Sequence, residues 1–118
     1  MLFRSRLLAD AKAKALGLAE NYAPPEKPEI SLPGKTARAA MGMAVDGLRL
    51  SGKATPHDVT VGKVLAGVLS GGDTDLTETI GEDDLLGLER RAFVALSRHP
   101  ASIARVQYML KTGKPLRN

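Results

Sequence analysis

Apolar residues in this chain recur at intervals of three and four, and proline or glycine breaks the pattern wherever it lapses. No stretch alternates apolar with polar residues as a convincing strand would. This punctuation constrains the fold more than composition does. It predicts an all-α chain of about five helices, packed as a small orthogonal or irregular bundle. The first helix is expected from about Arg4 to Glu20, with Leu7, Leu8, Ala11, Ala15, Leu18 and Ala19 at helical spacing. Asn21 is a plausible stop, and Pro24 and Pro25 prevent continuation. Residues 23–34 then carry Pro24, Pro25, Pro28 and Pro33, a composition that favours a semi-rigid extended strap. Three parts are therefore expected: an N-terminal helix over 1–22, a linker over 23–34 and a helical domain over 35–118.

Inside the helical domain the boundaries are written in caps. A second helix is expected from about Thr36 to Leu50, closed by Ser51 and Gly52. The third opens on Thr55 as N-cap, with Pro56 at the first helical position and Asp58 at the third. A threonine hydroxyl there satisfies orphan N–H groups, proline loses nothing, and an early acid suits the helix dipole. Gly71 and Gly72 end that helix. An acidic loop over 73–81 leads into a fourth helix from about Glu82 to Arg98. Pro100 starts a fifth, which Gly113 caps. Gly42, Gly47, Gly62, Gly67 and Gly87 all fall inside these helices, each at a cost of about 1 kcal/mol against alanine. Close approach of neighbouring helices is the expected compensation.

Composition limits the core. Aromatics make up 3% of 118 residues and tryptophan is absent, so Leu, Val, Ile, Met and Ala must build it. Such a core is thin and open to completion from outside the chain. With no cysteine, disulfides and thiolate metal sites are excluded, which fits a cytoplasmic protein. No apolar run approaches the roughly 20 residues of a membrane span, and the first eight residues lack a signal peptide's apolar stretch. A net charge of +4 permits an anionic partner without requiring one.

The residues alone reveal no catalytic set. His57 and His99 sit near helix starts with no ligand or nucleophile at recognisable spacing, so both read as polar residues of helix termini. Asp73 and Asp75 fit the first and third positions of a calcium loop, but Glu78 stands where a glycine is needed and Asp84 where a glutamate is needed. A solvated acidic loop is the better reading. Ser70-Gly71-Gly72 follows a helix rather than a strand and reads as a C-cap, not a phosphate loop. Arg98, Arg105, Lys111, Lys114 and Arg117 make the C-terminal end basic, yet Tyr108 is the lone aromatic among them. Nucleic acid is therefore not an expected partner. Neither catalytic nor metal-ligating residues are assigned.

Several pieces of the sequence, in this order, resemble a known family. They are Arg6-Leu7-Leu8-Ala9-Asp10-Ala11-Lys12, Gly52-Lys53-Ala54-Thr55-Pro56-His57-Asp58, Val68-Leu69-Ser70-Gly71-Gly72, Leu88-Glu89-Arg90, Ala92-Phe93, Ala104-Arg105, Met109-Leu110 and the closing Gly113-Lys114-Pro115-Leu116-Arg117-Asn118. They look like the C-terminal part of bacterial 3-hydroxyacyl-CoA dehydrogenase chains that carry an enoyl-CoA hydratase/isomerase (crotonase-like) domain. The likeness covers Arg6 to Asn118 and leaves Met1–Ser5 as an expected non-native start. It implies a parent enzyme of fatty-acid β-oxidation that uses NAD and acyl-CoA. It also implies upstream dehydrogenase and crotonase-like domains as partners, and homo-oligomerisation. No position here matches the parent's catalytic residues or its dinucleotide-binding glycines. Lys111 and Lys114 are the candidates for a contact to the phosphate or adenine end of coenzyme A. The alternative is a stand-alone helical module that binds a protein or an anion.

Overall fold

The computed structural model describes residues 2–118, with side chains from residue 6 onward, so the expectation for Met1–Ser5 falls largely outside what it describes. Among the described residues the chain forms α1 (Leu2–Ala19), α2 (Gly34–Leu50), α3 (Pro56–Leu69), α4 (Glu82–Ser97) and α5 (Pro100–Thr112). The expected all-α architecture is therefore present. Two short strands, β1 (Glu29–Ile30) and β2 (Ile80–Gly81), are the departure from it. They pair antiparallel, Glu29 with Gly81 and Ile30 with Ile80, and tie the proline strap to the acidic loop. Two residues are too few to show a period of two, so no sequence pattern could announce this ladder.

Each helix end follows from its local sequence. At the start of α3, Thr55 Oγ1 accepts from Asp58 N at 3.2 Å, and Asp58 Oδ2 accepts from Thr55 N at 2.8 Å, a reciprocal capping box. At its end Gly72 N donates to Gly67 O and Gly71 N to Val68 O, a Schellman motif with Gly71 at φ +89°. The C-terminus of α2 repeats the motif: Lys53 N donates to Leu48 O and Gly52 N to Arg49 O. Asp84 Oδ2 accepts from Gly81 N at the start of α4, and His99 Nδ1 accepts from Ala101 N at the start of α5.

α2 and α3 form the most extensive helix pair, α4 leans on α3, and α5 follows α4 through a sharp corner. The centre of the fold is a crossing of two backbones rather than a cluster of large side chains. Gly34 N donates to Ser70 O at 2.8 Å, and Gly34, Ser70, Gly71, Gly72 and Thr74 are all buried. The buried apolar residues are only Ala54 and Ala66 among those described. α1 lies off this centre, with every described side chain from Arg6 to Ala19 exposed. The radius of gyration is accordingly 21.3 Å, against roughly 13–14 Å for a compact chain of this length.

The helical glycines repay their cost unevenly. A side chain at Gly62 would meet Val45 of α2 at 3.0 Å, and one at Gly67 would meet the Arg38 guanidinium at 3.6 Å. Gly42 and Gly47 face open space, and Gly87 meets only Arg91 of its own helix. Close helix approach thus explains two of the five, both on the α2–α3 seam.

Gly34 and Gly52 provide a matched test. Both have positive φ, +67° and +73°, but a Cβ at Gly34 would collide with the Thr74 carbonyl while one at Gly52 meets nothing. Gly52→Ala should cost only the left-handed penalty of about 1 kcal/mol. Gly34→Ala should cost at least about 2 kcal/mol, because the crossing itself must open. Urea unfolding midpoints of the two variants measure the difference, and equal midpoints would contradict the crossing.

Candidate functional site

Two features carry the chemistry of this fold: a polar clamp around the end of the chain, and an apolar groove between α3 and α4. The clamp is centred on Arg105, in the middle of α5. Its guanidinium donates to Asn118 Oδ1 at 2.7 Å, Asp58 Oδ1 at 2.8 Å, Thr55 Oγ1 at 3.1 Å and the Asn118 main-chain oxygen at 3.3 Å. Asn118 Nδ2 donates back to Ala101 O at 3.1 Å, and His57 N donates to Asn118 O at 3.2 Å. One planar cation thus joins the start of α3, the middle of α5 and the tail, a task that suits a rigid five-donor fork better than a lysine.

Asp58 serves the capping box and the clamp together. The Thr55 N–H, then the Arg105 guanidinium and the Thr55 hydroxyl, hold its carboxyl far below the ordinary carboxylate range. Behind it lies His57, 4% exposed. Its Nε2 is hydrogen-bonded to Ser102 Oγ at 2.8 Å, its ring centroid is 4.8 Å from that of His99, and its Nδ1 is buried without a partner. Burial lowers the His57 pKa, and the charges of Arg105 and His99 push the same way against Asp58.

By sequence His57 and His99 are two separate polar residues of helix termini, with no nucleophile at recognisable spacing. Both do stand at helix termini. The fold nevertheless brings them together with Ser102, because the α4–α5 corner folds back over the start of α3. The separation of His57 from Ser102 by 45 residues left no local signal to find. Among the described residues no acidic side chain meets His57 Nδ1, the atom through which a third group would orient the ring in an activated nucleophile set.

Three acids of the 73–84 segment, Asp75, Asp83 and Asp84, take separate partners. Asp75 Oδ1 accepts from Thr77 N at 2.7 Å, Asp83 pairs with Lys27 at 2.7 Å, and Asp84 caps α4. Among the described residues no three metal-ligating side chains gather. Lys111 lies in the last turn of α5 and Lys114 just beyond Gly113, both exposed. Neither makes an ion pair among the described residues.

The groove has a volume of about 600 Å³. Val61, Val64, Leu65, Val68 and Leu69 form its α3 wall, and Leu85, Leu86, Phe93 and Leu96 its α4 wall. Pro28, Ile30 and Leu32 of the strap close one side. Its charged lining is acidic, Glu82 and Glu89. Leu65 is 51% exposed and Phe93 71%, so the groove is an uncovered apolar surface. Further apolar side chains stand uncovered on α2 and α5, among them Met43, Leu50, Val106 and Leu110.

Two outcomes test the clamp. Arg105→Ala should lower stability by about 2 kcal/mol, between the values for exposed and fully buried pairs, and Arg105→Lys should recover little of it. Urea midpoints check both, and a loss below about 0.5 kcal/mol for the alanine would be contrary. The second concerns pH. Folded His57 binds a proton less readily than the unfolded chain, so its contribution is full above about pH 6.5 and is lost as pH falls through the lower folded value. Asp58 follows below about pH 4, since its folded value is also depressed. Thermal melts should therefore fall in two stages on acidification, with the first stage missing in His57→Gln.

No family model matches the chain, and no solved structure matches it. Among curated proteins, it is 40% identical over 116 residues to a probable 3-hydroxyacyl-CoA dehydrogenase of Bacillus subtilis (strain 168). That similarity covers 98% of this chain, so it reaches into the first five residues, beyond the span from Arg6 that the motifs marked out. The chain spans 15% of the relative's length. Over nearly its whole length, then, the chain is similar to one short part of a 3-hydroxyacyl-CoA dehydrogenase chain, as its motifs implied.

Proposed function

We propose that this chain is the terminal helical segment of a 3-hydroxyacyl-CoA dehydrogenase chain of fatty-acid β-oxidation, with a packing and assembly role. The observation that carries this reading is 40% identity over 98% of the chain to so small a part of a much longer dehydrogenase. The surface supports it. Met43 is 75% exposed, Leu50 90% and Leu110 83%, and upstream dehydrogenase and crotonase-like domains would cover such side chains. Covering them is worth roughly 25 cal/mol for each Å² removed from water, which the buried alanines of this chain do not supply.

In this reading the chemistry belongs to the parent, which oxidises 3-hydroxyacyl-CoA with NAD and, by its motifs, also hydrates enoyl-CoA in the cytoplasm. Among the described residues no helix is long and apolar enough to cross a membrane. Lys111 and Lys114 contribute a contact to the phosphate or adenine end of coenzyme A. Two exposed cations at a helix end suit a phosphate as point charges, without shape selection.

Deleting the equivalent segment from the full-length parent should remove most NAD-linked oxidation of 3-hydroxyacyl-CoA, followed as NADH absorbance. A truncated parent with full activity would refute the assembly role. In the intact parent, replacing Lys111 and Lys114 with alanine should raise KM for the CoA substrate several-fold and leave kcat nearly unchanged, the signature of lost uniform binding. An unchanged KM would remove the coenzyme A contact while leaving the assembly role standing.

A further inference from the structure

We propose that a trough running over α3, between α2 and α4, binds a small phosphate monoester. The inference rests on the residues of the trough and not on the dehydrogenase reading. Two adjoining cavities form it, and Arg38 and Asp73 line both. The first, of about 460 Å³, has Lys35, Arg38 and Gly42 of α2 on one side and Lys63 of α3 on the other. The second, of about 340 Å³, is walled by Val64 and Val68 of α3 and by Leu88, Arg91 and Ala92 of α4. Lys35, Arg38, Lys63 and Arg91 thus face a single acid, Asp73, the reverse of the acidic lining of the α3–α4 groove.

The helices place these cations together. Lys35, Arg38 and Gly42 follow at intervals of three and four residues, so they share one face of α2. A side chain at Gly67 would meet the Arg38 guanidinium at 3.6 Å, so glycine there lets the planar group lie close to the α3 backbone. Lys63 is held by Asp46 at 2.8 Å. Among the described residues Lys35, Arg38 and Arg91 make no ion pair. Like charges gathered on one concave surface raise the potential there, and an entering anion is attracted by all of them. A phosphate monoester, with a charge of roughly −1.5 to −2 at neutral pH, answers such a surface better than a single carboxylate. The guanidinium takes two of its oxygens as a fork, and the lysines add point charges.

Gly42 points to the same place independently. A glycine inside a helix costs about 1 kcal/mol against alanine, yet a side chain at Gly42 would meet nothing within 4 Å. No packing contact of the chain therefore explains it. What it does is line the basic cavity, where the missing side chain leaves open the space beside Arg38. The second cavity adds the rest of the ligand class. Val64, Val68 and Leu88 give it apolar walls next to the cations, the combination that receives an apolar or aromatic body attached to a charged group. Arg38 and Arg91, which both line it, present guanidinium planes that an aromatic face attracts.

Phenyl phosphate and inorganic phosphate are the probes, titrated into the chain while backbone amide NMR shifts are followed. The Gly42 and Gly67 amides should shift saturably, and phenyl phosphate should bind more tightly than inorganic phosphate. Arg38→Gln should weaken binding about tenfold or more, the effect of losing a charge-assisted contact. Lys12→Gln with Lys14→Gln removes two charges from the exposed α1 and should leave the affinity unchanged. Gly42→Leu should abolish binding while the urea midpoint does not fall, because the new side chain enters open space. Four results would overturn the proposal: no saturable shift at Gly42 and Gly67, as great a loss from the α1 lysines as from Arg38, undiminished binding by a folded Gly42→Leu, or phenyl phosphate bound no more tightly than inorganic phosphate.

Discussion

The fold depends on the place where the backbone entering α2 crosses the backbone leaving α3. Gly34 gives its N–H to the Ser70 carbonyl and presses against the Thr74 carbonyl, at a distance that leaves no room for a side chain. This one contact fixes where the strap meets the helical domain. It sets the α2–α3 seam, on which Gly62 admits Val45, and turns the following loop so that Ile80 can pair with Ile30. Backbone groups buried this deeply must find partners, and here they find each other. The crossing is therefore held by hydrogen bonds and by the absence of Cβ atoms more than by apolar volume.

A centre of that kind is specific, but it buries little. Ala54 and Ala66 are small, and the large apolar side chains of α1, α4 and α5 remain substantially in water. The Arg105 clamp partly compensates at the far end by tying α3, α5 and the tail with one guanidinium. Its partner Asp58 also completes a capping box, so a single carboxylate stabilises a helix start and a tertiary junction together. The uncovered apolar surface is what the proposed assembly with upstream domains would cover.

Most of the architecture was legible because helix boundaries are local events. Thr55, Pro56 and Asp58 specify a helix start within four residues, and Gly52, Gly71, Gly72 and Gly113 specify helix ends by adopting positive φ. Such signals need no knowledge of the rest of the chain. The motifs that resemble dehydrogenase chains were legible for the same reason, as they are short runs of contiguous residues. The β1–β2 ladder was not legible, because Glu29–Ile30 and Ile80–Gly81 lie 50 residues apart and each is too short to show a pattern.

The sequence by itself therefore determined the helices, their caps, the extended strap and the poverty of the core. Only the tertiary structure decided which residues meet. It placed His57 against His99 and Ser102, gave Arg105 four acceptors from two other segments, and left Gly42 and Gly47 without the neighbours their cost implied. The physical reason is range. Caps and turns are settled by hydrogen bonds spanning three to five residues, whereas the clamp joins Arg105 to Thr55 and Asp58 across about fifty, with a geometry that depends on how every intervening helix packs.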